Sequence, residues 1–399
     1  MTLLNQLICR LLVFIFVFAC YELEAHSRNE SYSTVSITQS EEIISINIKA
    51  NIRLDIFQQL ILPSNLTRDL ELGTYFVSSF DFGPECKAEQ IVSPTINASA
   101  GFIKATWELQ CTSIPVKYQN SLFQDLNPSH NHLSKVKLNQ ELWGDFIFNI
   151  DSNAFSLSQE LSQGSQQSTL LNFLYFGVEH ILTGYDHLLF ILGLLVLFAR
   201  WRLFLSITGF TIGHSLSLFL GSVGIVIAKM NIVEALIGFS IFFLGYEYFY
   251  KNFFLSRRQY FKFWQLMPLG ILFLLWVLGI IGFLLFCGMT VFVLSYSKII
   301  LDDQEMVKPL LITAFFGLIH GLGFASNLSG AGFTDNLILG VLGFNIGVEV
   351  GQLLFASIAM LALALITRLF GVQALILSKH GISSLLLSFG IYWFILRML

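Results

Sequence analysis

Along the first third of the chain, apolar positions alternate with polar ones. Ile44, Ile46, Ile48, Ala50, Ile52, Leu54 and Ile56 recur at every second residue, the period of a half-buried strand. Ile103, Ala105, Trp107, Leu109 and Cys111 repeat the pattern, and Phe146, Phe148 and Ile150 give a third run. Short strands between Pro, Gly, Ser and Asn clusters predict a β-sandwich-like domain. Beyond residue 170 the pattern changes to apolar runs long enough to cross a bilayer. They predict seven spans, at 172–198, 203–227, 232–250, 266–296, 309–328, 336–366 and 382–397, the fourth and sixth long enough to tilt. A polar Ser/Gln stretch, 152–168, reads as a linker. At the start, Arg10 precedes the short apolar core Leu11–Cys20, the pattern of a secretory signal ending near Ala25. Val17–Cys20 also loosely resembles a lipoprotein box, and an uncleaved anchor is the third reading. The expected architecture is a signal peptide (1–25), an extracytoplasmic β-rich domain (26–151), the linker, and a multi-span α-helical membrane domain (169–399).

Composition sharpens the class. The chain is 55% hydrophobic and 12% charged with a mean hydropathy of +0.70, which is membrane-protein territory. Its 40 phenylalanines and 30 glycines fit lipid-facing surface and close helix packing, with the Phe-rich stripes of the spans expected to face lipid. A net charge of −4 names no partner, and no basic run suggests nucleic acid. Cys86 and Cys111, the only cysteines of the β-rich part, pair in an oxidising compartment, for about 3 kcal/mol of stabilisation; two buried free thiols are the alternative. With the β domain outside, Arg200, Arg202, Lys251, Arg257, Arg258, Lys262 and Arg397 fall inside the cell. Lys229, Lys298, Lys308, Arg368 and Lys379 fall outside, as does Glu234 at its boundary. This positive-inside bias is modest.

The chemistry sits inside the apolar runs. Glu179, His180, Asp186 and His187 lie in the first span, His214 in the second, Glu247 in the third, His320 in the fifth and Glu349 in the sixth. Ionisable groups at membrane depth are costly and mark functional paths. No Lys or Arg lies well inside a span with them, so protons or a bound cation must balance the carboxylates. Imidazoles with carboxylates suit a divalent transition metal, nickel, zinc or cobalt, better than calcium or magnesium. On one continuous helix His180, Thr183 and His187 share a face, with Asp186 and Glu179 on the stripe beside it. At about 1.5 Å per residue, Asp186, His187, His214, His320 and Asn345 reach similar depths, with His180 and Glu349 shallower and Glu247 deeper. The expected ligand set is His180, Asp186, His187, His214, His320 and Glu349. Glu179, Thr183, Thr211, Ser215, Glu247, Asn345 and Gln352 are supporting or pathway residues. His130 and His132 read as a solvated turn, His380 as a boundary residue and Cys287 as packing.

Three functions suit this set. A permease would bind the cation weakly through many ligands and lose it below about pH 6 as histidines protonate. A zinc-dependent intramembrane hydrolase would use Glu349 or Glu247 as base, although no His-Glu-x-x-His or Gly-x-Ser-x-Gly is present. A membrane assembly factor would bind a protein partner through its β domain.

The motifs carry a family resemblance. Gly177–Phe190, with His180, Asp186 and His187, resembles the HupE/UreJ membrane proteins, in particular the branch with an extracytoplasmic amino-terminal domain. Thr211–Ser215, Phe316–Ala325 and Phe344–Gln352 agree in order. Better-understood members are regarded as nickel permeases serving hydrogenase or urease. The resemblance therefore implies metal handling at His180, Asp186 and His187 in the inner membrane. The chain departs from the permease branch in having Ile181 where that branch places proline.

Overall fold

The computed structural model describes residues 30–40, 43–53, 57, 69–88, 95–97, 102–128, 130–139, 141–157, 165–199, 201–226, 228–254, 261–300, 307–330 and 337–399. The expected signal segment and the strand ends Leu54 and Ile56 lie outside them. The amino-terminal part is strand-rich. Its larger sheet holds β1 (Glu30–Gln39), β2 (Ile44–Arg53), β4 (Cys86–Ala88), β5 (Thr95–Asn97), β6 (Phe102–Cys111), β8 (Asn131–Leu138) and β9 (Glu141–Phe148). The order is β4-β6-β2-β1-β8-β9, with β5 also on β6. Among the described residues only β1 and β8 pair in parallel. Ile46, Ile48 and Ile52 are fully buried, as the alternation required. A second sheet, β10-β7-β3, is made of β3 (Phe80–Asp81), β7 (Lys117–Asn120) and β10 (Ala154–Ser156). Its Phe80, Phe82 and Tyr118, with Phe76 of α1 (Asp69–Ser78), share one core with the larger sheet. Cys86 faces Cys111 across β4 and β6, and the two form a disulfide.

Two expectations for this part need correction. The linker is consumed at both ends: Ala154–Ser156 pairs with β7 and Ser165 begins a helix. The reason is apolar, since Leu157 is fully buried in the β core. His130 and His132 are also not solvated; both are completely buried. The Ser31 hydroxyl bridges His130 Nε2 (2.8 Å) and His132 Nδ1 (2.6 Å), and Ser33 meets His132 Nε2 at 2.8 Å. Ser33, Ser134 and Tyr118 extend the ladder. The parallel register sets Ser31 beside His132 and Ser33 beside Ser134, so the hydroxyls and both imidazoles find partners inside the core, with only His130 Nδ1 of the two rings unpaired among the described residues.

The remainder is helical: α2 (Ser165–Thr183), α3 (Tyr185–Leu197), α4 (Trp201–Ser222), α5 (Met230–Phe249), α6 (Phe261–Val277), α7 (Phe283–Ile300), α8 (Val307–Gly330), α9 (Leu337–Phe370) and α10 (Val372–Met398). Among the described residues, four helices are long and apolar enough to cross a membrane, or five if α2 and α3 form one broken span. Two expected spans are therefore not single helices. The first bends by 73° between α2 and α3, where Gly184 is extended (φ −82°, ψ 97°). The break leaves little backbone unsatisfied, because Gly184 N–H still donates to His180 and its carbonyl accepts from Leu188. The 266–296 stretch is a helical hairpin. It turns at Gly279, whose positive φ of 74° suits a residue without Cβ, and Trp276 stacks on Phe286 at 5.2 Å.

Three close helix pairs hold the bundle. Parallel α2 and α9 pack through Gly177, Gly343 and Gly347, and parallel α4 and α8 through Gly213 and Gly317. Antiparallel α5 and α10 pack through Gly238 and Gly390. Arg397 pairs with Glu234 at 3.1 Å. The end of the chain therefore lies at the start of α5, and the expected separation of these two residues across the membrane does not hold.

Candidate metal centre

The bend between α2 and α3 builds the site. It turns the first residues of α3 back toward the last turn of α2, so His180 and His187 meet with ring centroids 5.0 Å apart. They do so from two helices, not from one face of a single helix. His187 also lies 6.1 Å from His214 of α4 and 5.3 Å from His320 of α8, ring to ring. Two overlapping triads result. Ligand atoms of His180, His187 and His214 lie within 4.8 Å of one another, and so do those of Asp186, His187 and His320. All five residues are buried, and His187 belongs to both triads.

The hydrogen bonds around the cluster set the imidazole tautomers. Asp186 Oδ1 accepts the His187 backbone N–H (2.7 Å) and stands 2.9 Å from His187 Nδ1. A proton on Nδ1 leaves the Nε2 lone pair to the site. His214 Nδ1 donates in the same way to Asn345 Oδ1 (3.3 Å), whose amide nitrogen is tied to the Val341 carbonyl. His214 Nε2 is buried and makes no hydrogen bond among the described residues. Ser240 of α5 donates to the Ile237 carbonyl (2.7 Å) and lies 3.0 Å from His320 Nε2. Its one hydrogen is used, so it accepts from His320 Nε2–H and directs the Nδ1 lone pair inward. A donor set of oriented imidazole nitrogens with one carboxylate fits zinc, nickel or cobalt.

Phenylalanines wall the cluster. His180 lies against Phe324 (4.7 Å) and Phe344 (5.3 Å), and His320 against Phe210 (5.0 Å) and Phe190 (5.2 Å). These rings are buried, so the expectation that the phenylalanines face lipid fails for them. They pack inward because the imidazoles offer flat partners and the glycine-lined helices come close. A wall of rings excludes water and strengthens electrostatics within.

The other expected residues divide. The Thr211 hydroxyl shares its one hydrogen between Gln352 Oε1 (3.0 Å) and the Ile207 carbonyl (3.2 Å), tying α4 to α9 beside the site. Ser215 and Thr183 bond carbonyls of their own helices, Thr211 and Glu179 respectively. Glu179 reaches the β domain, accepting from Asn131 at 3.5 Å. Glu349 is not in either triad; it takes the Thr208 hydroxyl at 2.8 Å on an exposed side. Glu247 is also elsewhere, held by Tyr296 and by Lys251 at 2.9 Å. That buried carboxylate does have a basic partner, one turn on and just past the expected span. Sequence reasoning missed Ser240 and Tyr296, whose partners lie on other helices.

Residues 157–272 and 284–397 match the family model described as HupE / UreJ protein, more than half of the 399 residues. The gap between the matched segments contains the hairpin turn at Gly279. The strand-rich domain lies almost entirely outside the match. No curated protein matches the chain.

Proposed function

The chain belongs to the HupE / UreJ family, and from that premise we propose that it binds a divalent transition-metal cation (nickel, zinc or cobalt) within the membrane and carries it across. The observation that carries this reading is the convergence of His180, His187 and His214, and of Asp186, His187 and His320, in one buried cluster. His187 serves both triads, so it is the pivot about which a cation passes from one to the other without losing every ligand. Two partial ligand sets bind more weakly than one closed cage, as passage requires. Asp186 supplies the negative charge that offsets the cation's desolvation. The hydrolase reading finds no support, because neither Glu349 nor Glu247 stands at the triads.

The setting is an inner membrane with the strand-rich domain extracytoplasmic and the helices crossing eight times, α2 and α3 together making one passage. The test compares purified full chain with His187→Ala by elemental analysis, then by cation flux in proteoliposomes. Metal bound in proportion to wild-type chain, and lost with flux in His187→Ala, is expected. Equal metal content in the two proteins would sink the reading.

A further inference from the structure

The helix contacts repeat. A Cβ on Gly317 of α8 would overlap the Phe210 carbonyl and crowd His214 N; a Cβ on Gly177 of α2 would overlap the Phe344 carbonyl and crowd Val348 N. Gly213 meets the Ala314 carbonyl as Gly347 meets the Leu174 carbonyl. Gly209 meets Leu310 and Thr313 as Gly343 meets Leu170 and Phe173. One constant offset in numbering carries Leu170, Phe173, Leu174 and Gly177 onto Leu310, Thr313, Ala314 and Gly317. A second carries Gly209, Phe210, Gly213 and His214 onto Gly343, Phe344, Gly347 and Val348. The sequences agree: Phe176-Gly177-Val178-Glu179-His180 with Phe316-Gly317-Leu318-Ile319-His320, and Gly209-Phe210-Thr211-Ile212-Gly213 with Gly343-Phe344-Asn345-Ile346-Gly347.

The correspondence pairs α2, α4 and α5 with α8, α9 and α10. It leaves the helix pairings intact: α4 on α8 becomes α9 on α2, both parallel, and antiparallel α5 on α10 maps to itself. His214–Asn345 and Thr208–Glu349 run α4 antiparallel to α9, so corresponding helices point in opposite directions. This is an inverted repeat about a pseudo-two-fold axis in the membrane plane, with α6 and α7 inserted between the halves. His180 and His320 are equivalent under it, and their rings lie 5.0 and 5.3 Å from that of His187. His187 therefore stands close to the axis.

The halves differ at one place. Past His180, α2 stops at Thr183 and bends by 73°. Past His320, α8 runs on through Gly323, the equivalent of Thr183, and Phe324, the equivalent of Gly184, to Gly330. Two equivalent segments thus show two conformations in one molecule. We propose that the halves exchange them: α8 breaks at Gly323 as α2 and α3 join through Gly184, and the shared cluster opens to one face and then the other. This rests on the cation-carrier reading and gives it a two-sided cycle.

The experiment uses full chain in proteoliposomes preloaded with unlabelled Ni²⁺ or, in separate preparations, Zn²⁺, with tracer of the same cation outside. Alternating access predicts that preloading speeds tracer uptake by counterflow. Replacing Gly323 by alanine stiffens the helix at the second hinge and should slow exchange about fivefold while leaving bound metal per chain unchanged, which also reports that the variant is folded. Tracer uptake indifferent to preloading in protein that binds metal overturns the exchange alone, as does Gly323→Ala exchanging at the wild-type rate. Protein that binds no metal overturns the cation reading and the exchange with it.

Discussion

Ser240 has one hydrogen to give, and the Ile237 carbonyl takes it; what remains for His320 is an acceptor. Asn345 plays the same part for His214, with its amide nitrogen fixed on Val341. Partners of this kind hold a ligand's tautomer and aim, and losing one typically costs about 10- to 100-fold in metal affinity. Ser240→Ala and Asn345→Leu should each weaken binding by that order in a metal titration. Thr183→Ala should not, because among the described residues its hydroxyl serves only the Glu179 carbonyl; equal losses in all three would show a fold effect instead. The histidines were legible in the sequence because charge-bearing groups stand out in apolar runs. Ser240 was not, since a serine in a membrane helix ordinarily bonds its own backbone and His320 lies 80 residues away. The inward phenylalanines were hidden for a related reason: a ring suits lipid and an imidazole equally.

The strands of the amino-terminal domain were legible because one buried face writes a period of two, and Ile44–Ile52 keeps it without a fault. The break at Gly184 was not, since a glycine within an apolar run is compatible with an unbroken helix. The buried ladder across β1 and β8 was also hidden, because a parallel pairing of distant strands leaves no local trace. Its cost is testable by acid. Burial pulls His130 down to about 3, and burial, with His130 adding to it, holds His132 well below its ordinary value. Both stay neutral when folded, while the unfolded chain takes up protons below pH 6.5. Stability is therefore full above pH 6.5 and falls as the pH drops toward the folded values. Between pH 7 and pH 5 the loss from His130 should be about 2 kcal/mol, with His132 adding to it in the same direction. Hydrogen exchange of β1 and β8 amides in the full chain measures it, and His130→Asn with His132→Asn should flatten the dependence. A steep acid loss that survives the double substitution would place its origin elsewhere.

For the whole molecule, the hairpin of α6 and α7 decides the parity of the chain. Read as one span it leaves seven crossings and sets the carboxyl terminus opposite the β domain. That arrangement divides the basic residues almost evenly between the faces, and it would part Arg397 from Glu234, which the structure joins at 3.1 Å. The proposed eight passages count two there. With the β domain outside, the inner segments then carry Arg200, Arg202, Lys251, Arg257, Arg258, Lys262, Lys298, Lys308, Arg368 and Lys379, and the outer ones only Lys229 and Arg397. Basic residues near span ends resist translocation, so this distribution favours the arrangement that the ion pair requires. The same parity lets two halves of three passages run in opposite senses, as an inverted repeat must. A reporter enzyme active only outside the cell, fused after Leu399, should be active, and fused after Arg368 it should be silent. The reverse pattern would restore seven crossings and break the correspondence between the two halves.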